Sequence, residues 1–199
     1  QTQRGGHPNA QPLRRGGDHE IAEDVERKPD AATLAAGASD YFGWLLGGRE
    51  CQPVREPVAA TLLICGSLAA WDMGRVEQMQ MLGFSVVTHG EELPDDIWQR
   101  TRRLMLAIGR PAGADEESLL QALTERAVKA ATGVHGLRIA LEGGATALAF
   151  IQRMGWSRFE ALPEGLTGVG SLRPPGGPLL WIKPGSYPWP EGVFREGSI

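Results

Sequence analysis

Residues 59–67, AATLLICGS, form an unbroken apolar run that halts at Gly66–Ser67. A strand with one solvated face alternates apolar and polar side chains. A run without that alternation belongs to a strand covered on both faces, as in parallel sheets packed between helices. FSVVTHG (84–90) and LRIALEGG (137–144) read as further strands that also stop at glycine. Helical stretches separate them. WDMGRVEQMQMLG places Val76, Met79 and Leu82 near helical spacing and stops at Gly83, and LPDDIWQRTRRLMLAIG opens on Pro94–Asp95–Asp96, a helix-start signal. DEESLLQALTERAVKAATG (115–133) is amphipathic, with acids in its first turn and Gly133 after its end, and TALAFIQRMG follows the third run as a helix. From Phe159 the pattern changes to short extended pieces, FEALPEGL, VGSLRP and LLWIKPG, divided by Gly and Pro. Apolar strands alternating with helices predict an α/β fold: a layered, Rossmann-like domain whose mostly parallel sheet is flanked by helices.

Residues 1–30 carry Gly, Pro and charge with almost no apolar periodicity, and read as a loosely ordered lead-in with at most a short helix near Ile21–Glu26. Order is expected from residue 31, with a strand at Ala32–Gly37 and a helix presenting Tyr41, Trp44 and Leu45, then a Pro-containing linker at 51–57. One domain over 31–199 is therefore expected, and 199 residues suffice for one sizeable core. The chain opens on Gln1 rather than Met, as a fragment or processed product does.

A net charge of −4 without a basic stripe argues against nucleic-acid binding. No apolar run is long enough to span a membrane, and no charged-then-apolar leader is visible. The two cysteines form no metal-ligand cluster, and Cys65 reads as a buried free thiol, so a cytoplasmic location is expected. His7, His19, His89 and His135 share no ligand spacing, no metal site is expected, and Trp181 reads as core.

Three strand ends carry suggestive chemistry: ICGSLAAWD with Gly66 and Ser67, LEGGATAL with Gly143, Gly144, Ala145 and Thr146, and WIKPGSYPW with Lys183, Gly185 and Ser186. Ligands of parallel α/β sheets collect beyond the carboxyl ends of strands, where glycines let backbone amides approach an anion. A glycine pair also serves as a plain tight turn, and the residues alone leave both readings open. No phosphate-loop or nucleophile-elbow signature occurs, and GVGSLRP (168–174) lacks the last glycine of a dinucleotide fingerprint.

In order, AAGASDYFGWLL (35–46), LLICGSLAAWDMGRVEQMQMLGF (62–84), LEGGATALAFIQRMGW (141–156) and LPEGLTGVGSL with LLWIKPGSYPWPEGVF (162–194) resemble the C-terminal, nucleotide-binding half of the four-carbon acid sugar kinase family. The resemblance covers roughly 31–199. It implies ATP and Mg2+ as cofactors, with Ser67, Gly143, Gly144, Ala145, Thr146 and Gly185 contacting the nucleotide. It also implies a threonate- or erythronate-like substrate held by an N-terminal domain outside this sequence, where the group that activates the sugar hydroxyl would lie. Lys183 would neutralise phosphate charge, Gly144 would need φ > 0 or a close approach, and a homo-oligomer is compatible. Three positions depart from the family: Ala145 stands where it has an acid, Leu68–Ala69 where a second small hydroxyl follows Gly-Ser, and Tyr187–Pro188 where it has Phe-Gly. The lost carboxylate removes a candidate metal or ribose ligand, and Pro188 removes an N–H donor and a glycine's freedom. Two functions are thus expected in order: the ATP-binding part of a sugar-acid kinase, or a degenerate kinase-like module that binds a nucleotide or partner without catalysis. An unrelated Rossmann-type enzyme ranks below both.

Overall fold

The computed structural model describes residues 57–194, apart from 110–112, 114, 163–165, 167 and 186. The expected lead-in, the strand at Ala32–Gly37, the helix around Tyr41–Leu45 and most of the linker lie outside the described residues. Chain order runs β1 (Ala60–Cys65), α1 (Leu68–Asp72), α2 (Arg75–Met81), β2 (Ser85–Thr88), α3 (Ile97–Arg100), β3 (Arg103–Ala107) and α4 (Glu116–Ala131). It continues through β4 (Leu137–Glu142), α5 (Gly144–Arg153), β5 (Glu160–Ala161), β6 (Gly170–Arg173) and β7 (Leu179–Lys183). The strands form one seven-stranded sheet in the order β2-β3-β1-β4-β7-β6-β5. It is parallel from β2 to β7 and antiparallel through β6 and β5. The fold is therefore the mixed α/β layering that the apolar runs predict.

Two local expectations need correction. WDMGRVEQMQMLG is not one helix: Gly74, at φ +71°, separates α1 from α2. RLMLA, expected inside a helix, is strand β3. Helix α3 stops after four residues because Thr101 turns extended, at φ −144° and ψ 153°, and its hydroxyl bonds the backbone of Arg103. The apolar run beyond then fills the slot between β1 and β2, where both neighbours satisfy its backbone.

One face of the sheet packs Leu62, Ile64, Leu104, Leu106, Ile139 and Leu141 against α4 and α5, through Leu119, Leu123 and Phe150. Asp115 caps α4 by accepting from the Ser118 amide at 2.9 Å. The other face places Leu63, Met105, Ala140 and Trp181 under Ala70, Met79, Trp189 and Phe194. Because paired residues of parallel strands point to the same side, this second face is polar at both ends. Arg103, Thr61 and Arg138 form one row at the strand starts, and Ala107, Cys65, Glu142 and Lys183 form another at the strand ends. No helix among the described residues is long and apolar enough to cross a membrane.

Candidate functional site

The chain leaves β1 toward the β3–β2 edge and leaves β4 toward β7, although β1 and β4 are neighbours. Loops departing in opposite directions open a crevice at the C-terminal ends of these two strands, the switch point where ligands of open α/β sheets bind. All three glycine-bearing strand ends converge there. Ser67 Oγ donates to the Gly185 carbonyl at 3.3 Å and accepts from the Ala70 amide at 3.2 Å, capping α1 while stitching the β1 loop to the β7 loop. A Cβ on Gly185 would lie 2.7 Å from Ser67 Oγ and 3.6 Å from Gly143 Cα. A Cβ on Gly66 would overlap the Thr146 hydroxyl, so these loops touch only because glycines stand at the contacts.

Gly143 donates to the Lys183 carbonyl at 2.9 Å, continuing the sheet, and then turns with φ +108° and ψ 133° into α5. Its carbonyl accepts the Ala147 amide at 3.0 Å. The amides of Gly144, Ala145 and Thr146 thus head the helix without an intrahelical acceptor, and no side chain caps them. Gly144 and Ala145 are exposed, whereas Thr146 is 2% exposed, its side chain set against Gly66 and Gly143. The glycine requirement differs from expectation. Gly143 holds the positive φ, Gly66 and Gly185 make the close approaches, and Gly144 has open space where a Cβ would sit.

Beneath these loops lies a cluster that sequence reading missed. Glu142 Oε1 accepts from Lys183 Nζ at 2.8 Å and from Arg75 Nε at 3.2 Å, and Trp189 Nε1 donates to Oε2 at 3.3 Å. Arg75, Glu142 and Lys183 are all buried. Lys183 also donates to the carbonyls of Pro184 and Tyr187, so its three N–H groups have three internal acceptors. Its ammonium is directed into the cluster, not to the loop surface where a phosphate would be neutralised. Arg75 reaches the Tyr187 carbonyl too, at 3.4 Å, so the β7 loop is tied down from below by two cations. Cys65 is the buried free thiol expected. Burial first, then the Glu142 charge, pushes its thiol from 9.0 up to about 12, which leaves it unreactive. His89 is exposed at the end of β2, outside this cluster, and Trp181 is core.

No protein-family model and no curated protein sequence matches the chain. Solved structures do. A Haemophilus influenzae protein of the family DUF1537 superposes with TM-score 0.53 at 17% identity, over 85% of this chain and 47% of that one. A Bordetella bronchiseptica DUF1537 protein gives TM-score 0.50 at 21% identity, over 79% and 42%. A Salmonella typhimurium LT2 protein, named provisionally as a tRNA synthase, gives TM-score 0.60 at 16% identity, over 89% and 49%. These likenesses establish a shared fold, and this chain spans about half the length of the structures it matches.

Proposed function

We propose that the chain is the ATP-binding part of a cytoplasmic kinase that phosphorylates four-carbon sugar acids of the threonate or erythronate type. The observation that carries this reading is the meeting of three glycine-bearing strand ends at the switch point, beside an uncapped helix N-terminus. Two independent likenesses support it: the ordered sequence motifs resemble the four-carbon acid sugar kinases, and DUF1537, the family of two structural neighbours, is that same family.

ATP bound there supplies the phosphoryl group. This chain's own work is to bind and orient, which is most of what phosphoryl transfer asks of a protein. The amides of Gly144, Ala145 and Thr146 and the positive end of the α5 dipole would face phosphate oxygens, each such contact being worth about 0.3–2 kcal/mol. Ser67 and Gly185 hold the neighbouring loops against that turn. Among the described residues no group of three His, Cys, Asp or Glu side chains could hold a metal. Mg2+ bound with the nucleotide would supply positive charge against the phosphates. The sugar acid and the group that activates its hydroxyl are assigned to a domain outside this chain. A homo-oligomer is proposed by analogy with the citrate-bound Bordetella bronchiseptica protein, a domain-swapped dimer.

One observation favours the second reading, a degenerate module that binds a nucleotide or partner without catalysis. Lys183 is fully engaged by internal acceptors and position 145 carries no carboxylate, so the described site offers neither a free lysine at β7 nor an acid in the α5 turn. Calorimetric titration of the chain with ATP and ADP in the presence of Mg2+ is expected to give saturable heat. No heat and no thermal shift at millimolar nucleotide refutes nucleotide binding. Turnover of threonate or erythronate in a longer native chain carrying the sugar-acid domain supports the kinase, and binding without turnover there supports the module.

A further inference from the structure

We propose that Arg103 and Arg138 form a second anion site, at the N-terminal edge of the sheet, that takes a small oxyanion such as a phosphate or carboxylate group. The two flank Thr61 in one row of the second sheet face. Four residue steps along β1 separate that row from Cys65 at the strand ends, about 13 Å of strand. Arg138 donates to Thr61 Oγ1 at 3.1 Å, and its guanidinium lies 4.0 Å over the Trp181 ring and 5.9 Å from the Phe194 ring. Arg103 donates to the Leu82 carbonyl at 2.7 Å. Among the described residues neither forms an ion pair with a carboxylate, and Arg138 Nε is buried without any hydrogen-bond partner.

Stacking on Trp181 explains why a planar cation is tolerated beside aromatic rings. It does not explain two guanidinium groups across a single strand with no counter-charge among the described residues, because like charges in a partly dry environment repel. Burial first, then the Arg103 charge, draws Arg138 down to about 10, the direction expected of a cation without a nearby carboxylate. Arg103 and Arg138 keep part of their surface exposed, and each has further N–H groups beyond the single side-chain bond it donates among the described residues. Forked donors of this kind match the paired oxygens of a carboxylate or phosphate, and an anion there would remove the repulsion.

Thermal denaturation of the full chain in inorganic phosphate, in acetate and in chloride at matched ionic strength tests the site. Phosphate or acetate should raise Tm saturably above chloride. Arg103→Met and Arg138→Met should each weaken that response about tenfold, the loss of one charge-assisted pair. Arg153→Met, on α5 over the other face of the sheet, should leave it unchanged. A response to phosphate alone supports a phosphoryl ligand, and a response to both supports any oxyanion. Equal shifts in all three salts, or a response that survives both arginine substitutions, overturns the proposal. If either variant fails to fold, phenylglyoxal modification of the unaltered chain decides instead. Phosphate should slow labelling of Arg103 and Arg138 but not of exposed Arg158, and equal labelling with and without phosphate overturns the site.

Discussion

Gly185→Ala isolates the contact on which the convergence of strand ends depends. Gly185 does not lie in the left-handed region, so the substitution adds no backbone strain and its effect is steric. The new Cβ would sit 2.7 Å from Ser67 Oγ and 2.8 Å from Ser67 Cβ, inside van der Waals contact. Overpacking of this kind costs about 1–3 kcal/mol. Displacing the serine also weakens its cap on α1, worth about 0.5–2 kcal/mol. At about 3 °C per kcal/mol for a domain of this size, the overlap alone should lower Tm by roughly 3–9 °C. Ser67→Gly removes both clashing atoms, and replacing a capping serine by glycine costs only a few tenths of a kcal/mol, so roughly 1 °C. The double variant should therefore melt within a few degrees of Ser67→Gly alone, giving a coupling of about 1–3 kcal/mol in a double-mutant cycle. Thermal denaturation of the four proteins, followed by circular dichroism, is the assay. If Gly185→Ala melts with the unaltered chain, or if the two substitutions are additive, the β1 and β7 loops are not in contact and the site as described does not exist.

Glu142→Gln leaves Arg75 and Lys183 buried against a neutral amide and is expected to cost about 3–5 kcal/mol in urea denaturation; an unchanged midpoint would mean the cluster is hydrated. Gly143→Ala forces a side chain into φ +108° and should cost about 1–3 kcal/mol. Gly144→Ala, with open space and ordinary φ, should be neutral or stabilising by up to about 1 kcal/mol; reversal of that order in thermal melts contradicts the turn geometry. Cys65 has a raised thiol pKa in the folded state, so its stabilising contribution is present below pH 9.0 and is lost as pH climbs toward about 12. Tm should fall more steeply over that range in the native chain than in Cys65→Ala, and the native thiol should resist alkylation at pH 8 until the chain unfolds.

Strand and helix positions that follow from an uninterrupted apolar run or a strong amphipathic period are legible: β1, β4 and α4 match to within a few residues. Strand β3 was not, because a five-residue apolar run fits a helix or a strand equally, and the Pro94–Asp95–Asp96 start signal precedes it. What ends the helix is Thr101 bonding the backbone two residues on, a local competition invisible to periodicity. Convergence of the three glycine-bearing ends was legible from their shared place after strands. The assignment of roles among the glycines was not, since φ and close approach depend on which neighbours arrive. Glu142 shows the limit most clearly. It is the last residue of an apolar run, and its cations come from 67 and 41 residues away in sequence, a distance no local pattern encodes. The one available signal was the acid itself, standing at the end of a strand otherwise fit for burial on both faces.

The central claim, that the first turn of α5 receives a nucleotide's phosphates, is tested most directly by the backbone amide resonances of a 15N-labelled chain titrated with ATP and Mg2+. The amides of Gly144, Ala145 and Thr146 should shift saturably together with those of Ser67 and Gly185, while Arg103 and Arg138 at the opposite strand ends move less. Stationary Gly144, Ala145 and Thr146 resonances at millimolar nucleotide, or shifts confined to another part of the sheet, would contradict it.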